Sequence, residues 1–233
     1  MDNPETAARF ASLSTPLVAD AVLRAGLRLQ MGPFGIRPAT GLKTVAGRAL
    51  PVRHFGSVDV FLEAFETARP GDVLVIDNHG RLDEACIGDL TALEARLAGL
   101  AGILVWGVHR DTPELQAIPI AVFSLGTCSA GPRRLDASDG AWETRFGDVS
   151  VSREDFVFAD ADGVVFVEES GVAQVLSLAE TIASTERRQA DAIRAGKSLR
   201  DQLRFSEYLE ERKRDRSYTL RRHLQKIGGA IEV

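Results

Sequence analysis

The strongest constraint in this sequence lies near its middle, where two short and almost unbroken apolar runs, residues 72–77 (DVLVID) and 102–107 (GILVWG), flank a helical pattern over 89–102 (DLTALEARLAGLAG). Runs of that length, rich in Val, Ile and Leu, are typical of strands buried on both faces. A helix between two such strands is the crossover of a parallel pair, so the stretch predicts a mostly parallel sheet covered by helices. Within 89–102, Leu90, Leu93, Leu97 and Leu100 fall on one stripe, Asp89 stands where an N-cap belongs, and Gly102 marks the stop. Residues 118–126 (IPIAVFSLG) supply a third strand.

The flanks extend this pattern. Residues 12–26 carry Leu17, Val18, Ala21, Val22 and Ala25 at helical spacing, with Thr15 as N-cap, Pro16 in the first turn and Gly26 as the stop. Residues 32–41 (GPFGIRPATG) read as loop, 45–55 as a strand, and 60–68 as a helix closed by Pro70 and Gly71. The stretch 78–88 (NHGRLDEACIG) reads as loop. Over 148–168 the pattern changes to alternation broken by Asp160, Asp162 and Gly163, which predicts hairpins. From 171 to 195 the chain is helical and amphipathic. Residues 197–226 are charged and polar, and such a tail is expected to pack on the body or on a neighbouring subunit. The expectation is an α/β catalytic domain over 1–170 and a helical C-terminal extension over 171–233.

A chain of 233 residues that is 45% hydrophobic can bury a full core, and its net charge of -5 provides no general basic field to attract nucleic acid or an anionic bilayer. An anionic substrate must therefore be met by local positive groups. Cys86 and Cys128 form neither a disulfide framework nor a metal-ligand spacing. The opening MDNPETAARF has no leader-like pattern, and no stretch nears the roughly 18 apolar residues of a membrane span. A cytoplasmic protein is expected.

Simple geometry then gathers a constellation. A helix of about 12 residues advances about 18 Å, and a strand of about six residues returns about 20 Å. Asp89, at the helix start, and Arg110 and Asp111, just past the next strand, therefore lie at the same sheet edge, where open α/β sheets bind ligands. The amides of Leu90 and Thr91 and the positive end of the helix dipole suit a carboxylate. Arg110 adds a planar charged fork for a carboxylate or a carbonyl oxygen that gains charge. Asp111 is a hard oxygen ligand for Mg2+ (or Mn2+), which takes one or two protein carboxylates and keeps water. A cation there can chelate the carboxylate and keto oxygens of a 2-oxo acid and stabilise the enolate left after cleavage, with Asp89 accepting a proton directly or through water. Plainer alternatives stand beside each role: Asp89 as an N-cap, Arg110 and Asp111 as a solvated surface pair, and Glu114 as the start of a helical turn rather than support for the metal.

Asp89, then twenty residues, then Arg110 and Asp111, with Glu114 three further on, resembles the signature of the RraA-like family, which includes 4-hydroxy-4-methyl-2-oxoglutarate/4-carboxy-4-hydroxy-2-oxoadipate aldolases and oxaloacetate decarboxylases. The surrounding STPLVADAV, GDVLVID, ACIGDL, GILVWGVHRD and ADADGVVFV carry the likeness over residues 14 to about 168. The resemblance implies a compact α/β/β sandwich of swivelling-domain type, assembled as a homotrimer or a homohexamer of two trimers with sites between subunits. It implies that Gly88, Leu90, Thr91 and Arg110 hold the substrate, Asp111 holds the metal, and Asp89 positions a water. It also implies a metal-site glutamate from the adjacent subunit's C-terminal region, for which Glu186 is the match. The longer tail ending RRHLQKIGGAIEV, and the His79 and Asp83 of NHGRLDEAC, depart from the aldolases.

Other chemistries fare less well. A Schiff-base aldolase needs a lysine in an apolar pocket, whereas Lys43 sits in a turn-like segment and Lys197, Lys213 and Lys226 sit in the polar tail. Cys86 reads as a small buried hydrophobe. His109 is open to lining the pocket or acting as a base, and His54 and His223 read as structural or exposed. No glycine-rich cofactor fingerprint supports the methyltransferase label that some family members carry. The rival of another class is a non-catalytic regulator that binds a ribonuclease or another protein, a role that would leave Asp89, Arg110 and Asp111 without purpose.

Overall fold

The apolar runs become neighbouring parallel strands of an eight-stranded sheet. The computed structural model describes residues 2–54, 56–133 and 144–228. Its elements are α1 (Asn3–Phe10), α2 (Thr15–Arg24), β1 (Gln30–Met31), β2 (Arg37–Pro38), β3 (Val45–Arg53), α3 (Asp59–Glu66), β4 (Val73–Asp77), β5 (Ala85–Ile87), α4 (Asp89–Leu97), β6 (Gly102–Trp106), β7 (Val108–His109), α5 (Thr112–Ala117), β8 (Ala121–Ser124), β9 (Thr144–Phe146), β10 (Val149–Val151), β11 (Asp155–Ala159), β12 (Val164–Glu168), α6 (Glu169–Arg194), α7 (Leu199–Gln202), α8 (Phe205–Arg214) and α9 (Leu220–Ile227). The expected strand over 45–55 ends at Arg53, and Phe55 lies outside the described residues, as do 229–233 of the tail.

The strand order is β1-β12-β11-β3-β4-β6-β8-β2. Strands β3, β4, β6 and β8 are parallel, with Leu50 opposite Leu74, Leu74 opposite Ile103, and Ile103 opposite Val122. The β11–β12 hairpin joins antiparallel beside β3, and β9–β10 form a separate hairpin. The β11–β12 hairpin fulfils the expectation for 148–168, while the β9–β10 hairpin begins earlier, at Thr144.

Three apolar cores explain why the sheet needs cover on both sides. On one face of the parallel half, Leu50, Leu74, Ile76, Ile103 and Val105 pack against Phe61 and Ala64 of α3, Ala92 and Ala95 of α4, and Leu115 of α5. On the other face, Val73, Val75 and Leu104 meet Phe146, Val149 and Val151 of the β9–β10 hairpin, together with Val157 and Phe166. The alternate residues of the antiparallel half, Phe156, Phe158, Val165 and Val167, pack under α1, α2 and the first half of α6 through Phe10, Val18, Val22, Val172, Val175, Leu176 and Ala179. The result is the mixed α/β sandwich with C-terminal helices that the sequence predicts.

Several local expectations change. Thr15 is the first residue of α2 and Ser14 is its N-cap. Thr15 gives both its amide and its hydroxyl to the carboxylate of Asp160 (2.7 Å each), so a distant side chain satisfies the helix start. The loop 32–41 contains the edge strand β2, and the loop 78–88 contains β5. In α4 the leucine stripe faces outward: Leu90, Leu93 and Leu97 are 75%, 47% and 81% exposed, while Ala92 and Ala95 are buried. Ala92 and Ala95 face the sheet and join the core beneath the helix. The tail 197–226 forms α7, α8 and α9 around Tyr208, Tyr218, His223 and Leu224. His223 Nε2 lies 2.9 Å from the Leu203 carbonyl, which settles its structural role. No helix among the described residues is long and apolar enough to cross a membrane.

Candidate functional site

Two short strands set up the site. β5 runs parallel to β7, with Ile87 opposite His109, and the Arg110 amide donates to the Ile87 carbonyl at 3.0 Å. Both strands therefore release their chains side by side, one into the start of α4 and the other into Arg110 and Asp111. The convergence expected from strand and helix lengths is present, although α4 has only nine residues.

Gly88, not Asp89, is the N-cap of α4, and Asp89 is the first helical residue. Its Oδ1 accepts from the Leu90 amide at 2.8 Å, so that amide is engaged by Asp89 rather than free for a ligand. The Thr91 amide has no hydrogen-bond partner among the described residues. Asp111 adopts the left-handed conformation (φ 58°, ψ 42°) as N-cap of α5, which its short polar side chain tolerates. That turn lays its carboxylate over Gly88, where any Cβ would collide with Oδ2. A side chain at this position would force the Asp111 carboxylate to swing aside.

Arg110 Nε stands 3.4 Å from Asp111 Oδ2, with side chains 48% and 37% exposed. So open an ion pair contributes little to stability, and both groups remain accessible to a ligand. The Arg110 guanidinium lies over Gly131, where a Cβ would come within 2.6 Å of Nη1. Residues 127–133 run beside the site through bonds from Cys128 N to the His109 carbonyl (2.9 Å) and from Ala85 N to the Ala130 carbonyl (2.8 Å). Sequence reasoning missed this third wall because nothing near Gly131 or Cys128 marks it.

His109 is buried, with Nδ1 2.8 Å from Ser124 Oγ and Nε2 3.1 Å from Thr112 Oγ1. Burial pushes its pKa down, partly opposed by the Gly126 backbone and the charge of Asp111, which favours the neutral ring. His54 is likewise buried and pushed down, chiefly by desolvation. Cys86 is fully buried and its thiol is pushed up to about 12, so it is no nucleophile. Of the departures from the aldolases, Asp83 pairs with Arg133, and His79 donates its amide to Asp77 and tilts toward Trp106. Glu114 is exposed in the first turn of α5. Glu186 is exposed on α6, a helix that packs against α2, α7, β11 and β12 and is tied to α1 by Arg9–Glu180.

The donor set can be tested against a divalent cation. Asp111 offers one hard carboxylate in an accessible position, and among the described residues no three His, Cys, Asp or Glu side chains gather to hold a metal. This fits magnesium or manganese, which keep water and need one or two carboxylates. It does not fit a zinc-type site of three or four protein ligands.

The RraA-like family model, described as Aldolase/RraA, matches residues 15–166. The chain belongs to the RraA-like family. A relative from Xanthomonas campestris pv. campestris (strain 8004), named "Putative 4-hydroxy-4-methyl-2-oxoglutarate aldolase", is 33% identical over 129 residues, covering 48% of this chain and 78% of its own. Among solved structures, this RraA-like chain is similar to the Streptomyces coelicolor RraAS2, described as an unusual member of the RNase ES inhibitor RraA protein family. That match has a TM-score of 0.68 and 25% identity, covering 78% of this chain and 94% of the other. A Geobacillus kaustophilus protein described as an S-adenosylmethionine:2-dimethylmenaquinone methyltransferase matches with a TM-score of 0.60 and 34% identity, covering 67% and 95%. The matched residues of the family model include all of 88–91 and 109–112, the whole of the edge described above.

Proposed function

We propose that this RraA-like protein is a divalent-metal-dependent lyase that cleaves a carbon–carbon bond of a 2-oxo acid, by retro-aldol cleavage of a 4-hydroxy-2-oxo acid, by decarboxylation of oxaloacetate, or both. The observation that carries the proposal is the meeting of Arg110 and the left-handed Asp111 with Gly88 at the start of α4. The substrate carboxylate binds between the Thr91 amide, at the positive end of α4, and the Arg110 guanidinium. Arg110 also faces the C2 oxygen, where negative charge grows as the bond breaks. In the retro-aldol direction the C4 hydroxyl gives its proton to the Asp89 carboxylate, directly or through one water. The C3–C4 bond then breaks, its electron pair passes toward the C2 oxygen, and C3 later takes a proton to give pyruvate. Asp89 Oδ1 is engaged by the Leu90 amide, which leaves Oδ2 for this exchange. Magnesium or manganese held by Asp111 would supply Lewis-acid polarisation of the oxo acid.

We further propose that copies of the chain assemble as a homotrimer, or a hexamer of two trimers. The outward Leu90, Leu93 and Leu97 form an apolar face that ordinary surfaces avoid, directly beside the site. The extension after residue 170 would bring Glu186 of the partner subunit to Asp111 as a second carboxylate. The cytoplasm is the proposed compartment. The likeness to RraAS2 favours a second reading, a regulator that binds a ribonuclease.

The test is pyruvate release from oxaloacetate and from 4-hydroxy-4-methyl-2-oxoglutarate. Turnover with magnesium that stops on chelation supports the lyase. Turnover indifferent to a chelator overturns the metal dependence, and no turnover on either acid favours the regulator.

A further inference from the structure

His109 is a buried titratable side chain at this edge that the proposed chemistry does not use. Its backbone is fixed on both sides, the amide donating to the Gly126 carbonyl (3.0 Å) and the carbonyl accepting from Cys128 (2.9 Å). Its ring reaches from Ser124 Oγ, at the end of strand β8, to Thr112 Oγ1, the first residue of α5. Ser124 Oγ is itself held by Gly126, donating to its carbonyl at 3.2 Å and receiving its amide at 3.3 Å. The ring therefore closes a loop from residue 109 to residue 112 and encloses only Arg110 and Asp111. Asp111 is in a conformation that L residues other than glycine adopt at a cost and keep only where the surroundings enforce it. The Asp111 carbonyl also starts α5 by accepting from Leu115 at 2.9 Å.

We propose that His109 is a positioning residue: its imidazole is a strut from the sheet, through Ser124, to Thr112, and this strut holds Asp111 in the left-handed turn that keeps its carboxylate over Gly88. The inference rests on the proposed function only in that this carboxylate is the one given to the cation. The geometric part stands apart from that. A dipeptide gripped at both flanks from one rigid strand has little freedom to swing its carboxylate away, so the cation finds its ligand already in place.

The test removes the strut at its half-buried end, where the fold is less at risk than at the buried Ser124. Thr112→Val keeps the shape and loses the hydroxyl, Thr112→Ser keeps the hydroxyl, and Ser124→Ala cuts the other end. Manganese affinity is measured by titration calorimetry, kcat and KM for oxaloacetate are measured in parallel, and the Thr112→Val crystal structure is solved. The expected result is about tenfold weaker manganese binding in Thr112→Val and Ser124→Ala. We also expect a fall in kcat larger than any rise in KM, recovery of both in Thr112→Ser, and Asp111 displaced from Gly88 in the Thr112→Val crystal. Asp111 unmoved over Gly88 in that crystal overturns the strut, whatever the activity. If the wild-type protein neither binds manganese nor turns over, the lyase reading fails, and the crystal still decides the strut.

Discussion

The helices α4 and α6 both carry apolar stripes in the sequence, and they meet different fates in the fold. α6 buries Val172, Val175, Leu176, Ala179 and Ile182 against α2 and the antiparallel half of the sheet, so its stripe is satisfied within one chain. α4 buries only Ala92 and Ala95 and turns Leu90, Leu93 and Leu97 outward. A stripe therefore shows that a helix has an apolar face, not that the core of its own chain covers it. The difference falls where function is proposed, because the start of α4 is also the edge that gathers Arg110 and Asp111.

The largest effect expected from breaking this comparison is in α6. Leu176→Ala should cost about 2–5 kcal/mol by leaving a cavity under a fully buried side chain, seen as a lower urea midpoint with an unchanged slope. Next comes Gly88→Ala at the α4 cap, where the added Cβ collides with Asp111 Oδ2. Displacing that carboxylate should lower kcat by about a hundredfold, while the thermal midpoint moves little; full activity would mean that the close approach has no function.

Acid gives a smaller effect, located on the α4 side. Burial holds the pKa of His54 below the ordinary value of about 6.5, between Asn78 and the ring of Phe61. The unfolded chain therefore takes up this proton first as pH falls, so the stability from the neutral ring is complete above about 6.5 and is lost as pH drops through the folded value. Between about pH 8 and pH 5, hydrogen-exchange protection factors, corrected for the intrinsic rate at each pH, should fall in α3 and β4 before α6, and His54→Gln should flatten that trend. The smallest effect on protomer stability is expected from Leu93→Ser with Leu97→Ser, within about 0.5 kcal/mol. Sedimentation should nevertheless show smaller assemblies, and an unchanged sedimentation coefficient with intact activity would remove the proposed interface.

Much of this was legible in sequence. Strands β4 and β6 are wholly or nearly buried because neighbouring strands and two opposed cores surround them, which is what their unbroken apolar runs announce. That the start of α4 and the pair Arg110 and Asp111 share one edge followed from strand and helix lengths alone, and the structure brings Gly88 against that pair. Other features depended on contacts that no local pattern encodes. Three residues of β5 are too few to show a period, and the Ser124 partner of His109 lies fifteen positions away. The choice between the alanine and leucine faces of α4 depends on which face meets the core beneath it, a tertiary fact. Tyr208 and Tyr218 make a tail that looks solvated into a small aromatic cluster only when their helices fold back together.

The central claim, that one sheet edge grips a cation and an oxo acid together, is tested most directly by a crystal of the wild-type protein grown with manganese and oxalate. The account predicts anomalous density on the Asp111 carboxylate, with oxalate lying between that ion, the Arg110 guanidinium and the first turn of α4. Manganese and oxalate bound elsewhere, or oxalate absent from this edge at saturating concentration, would contradict it.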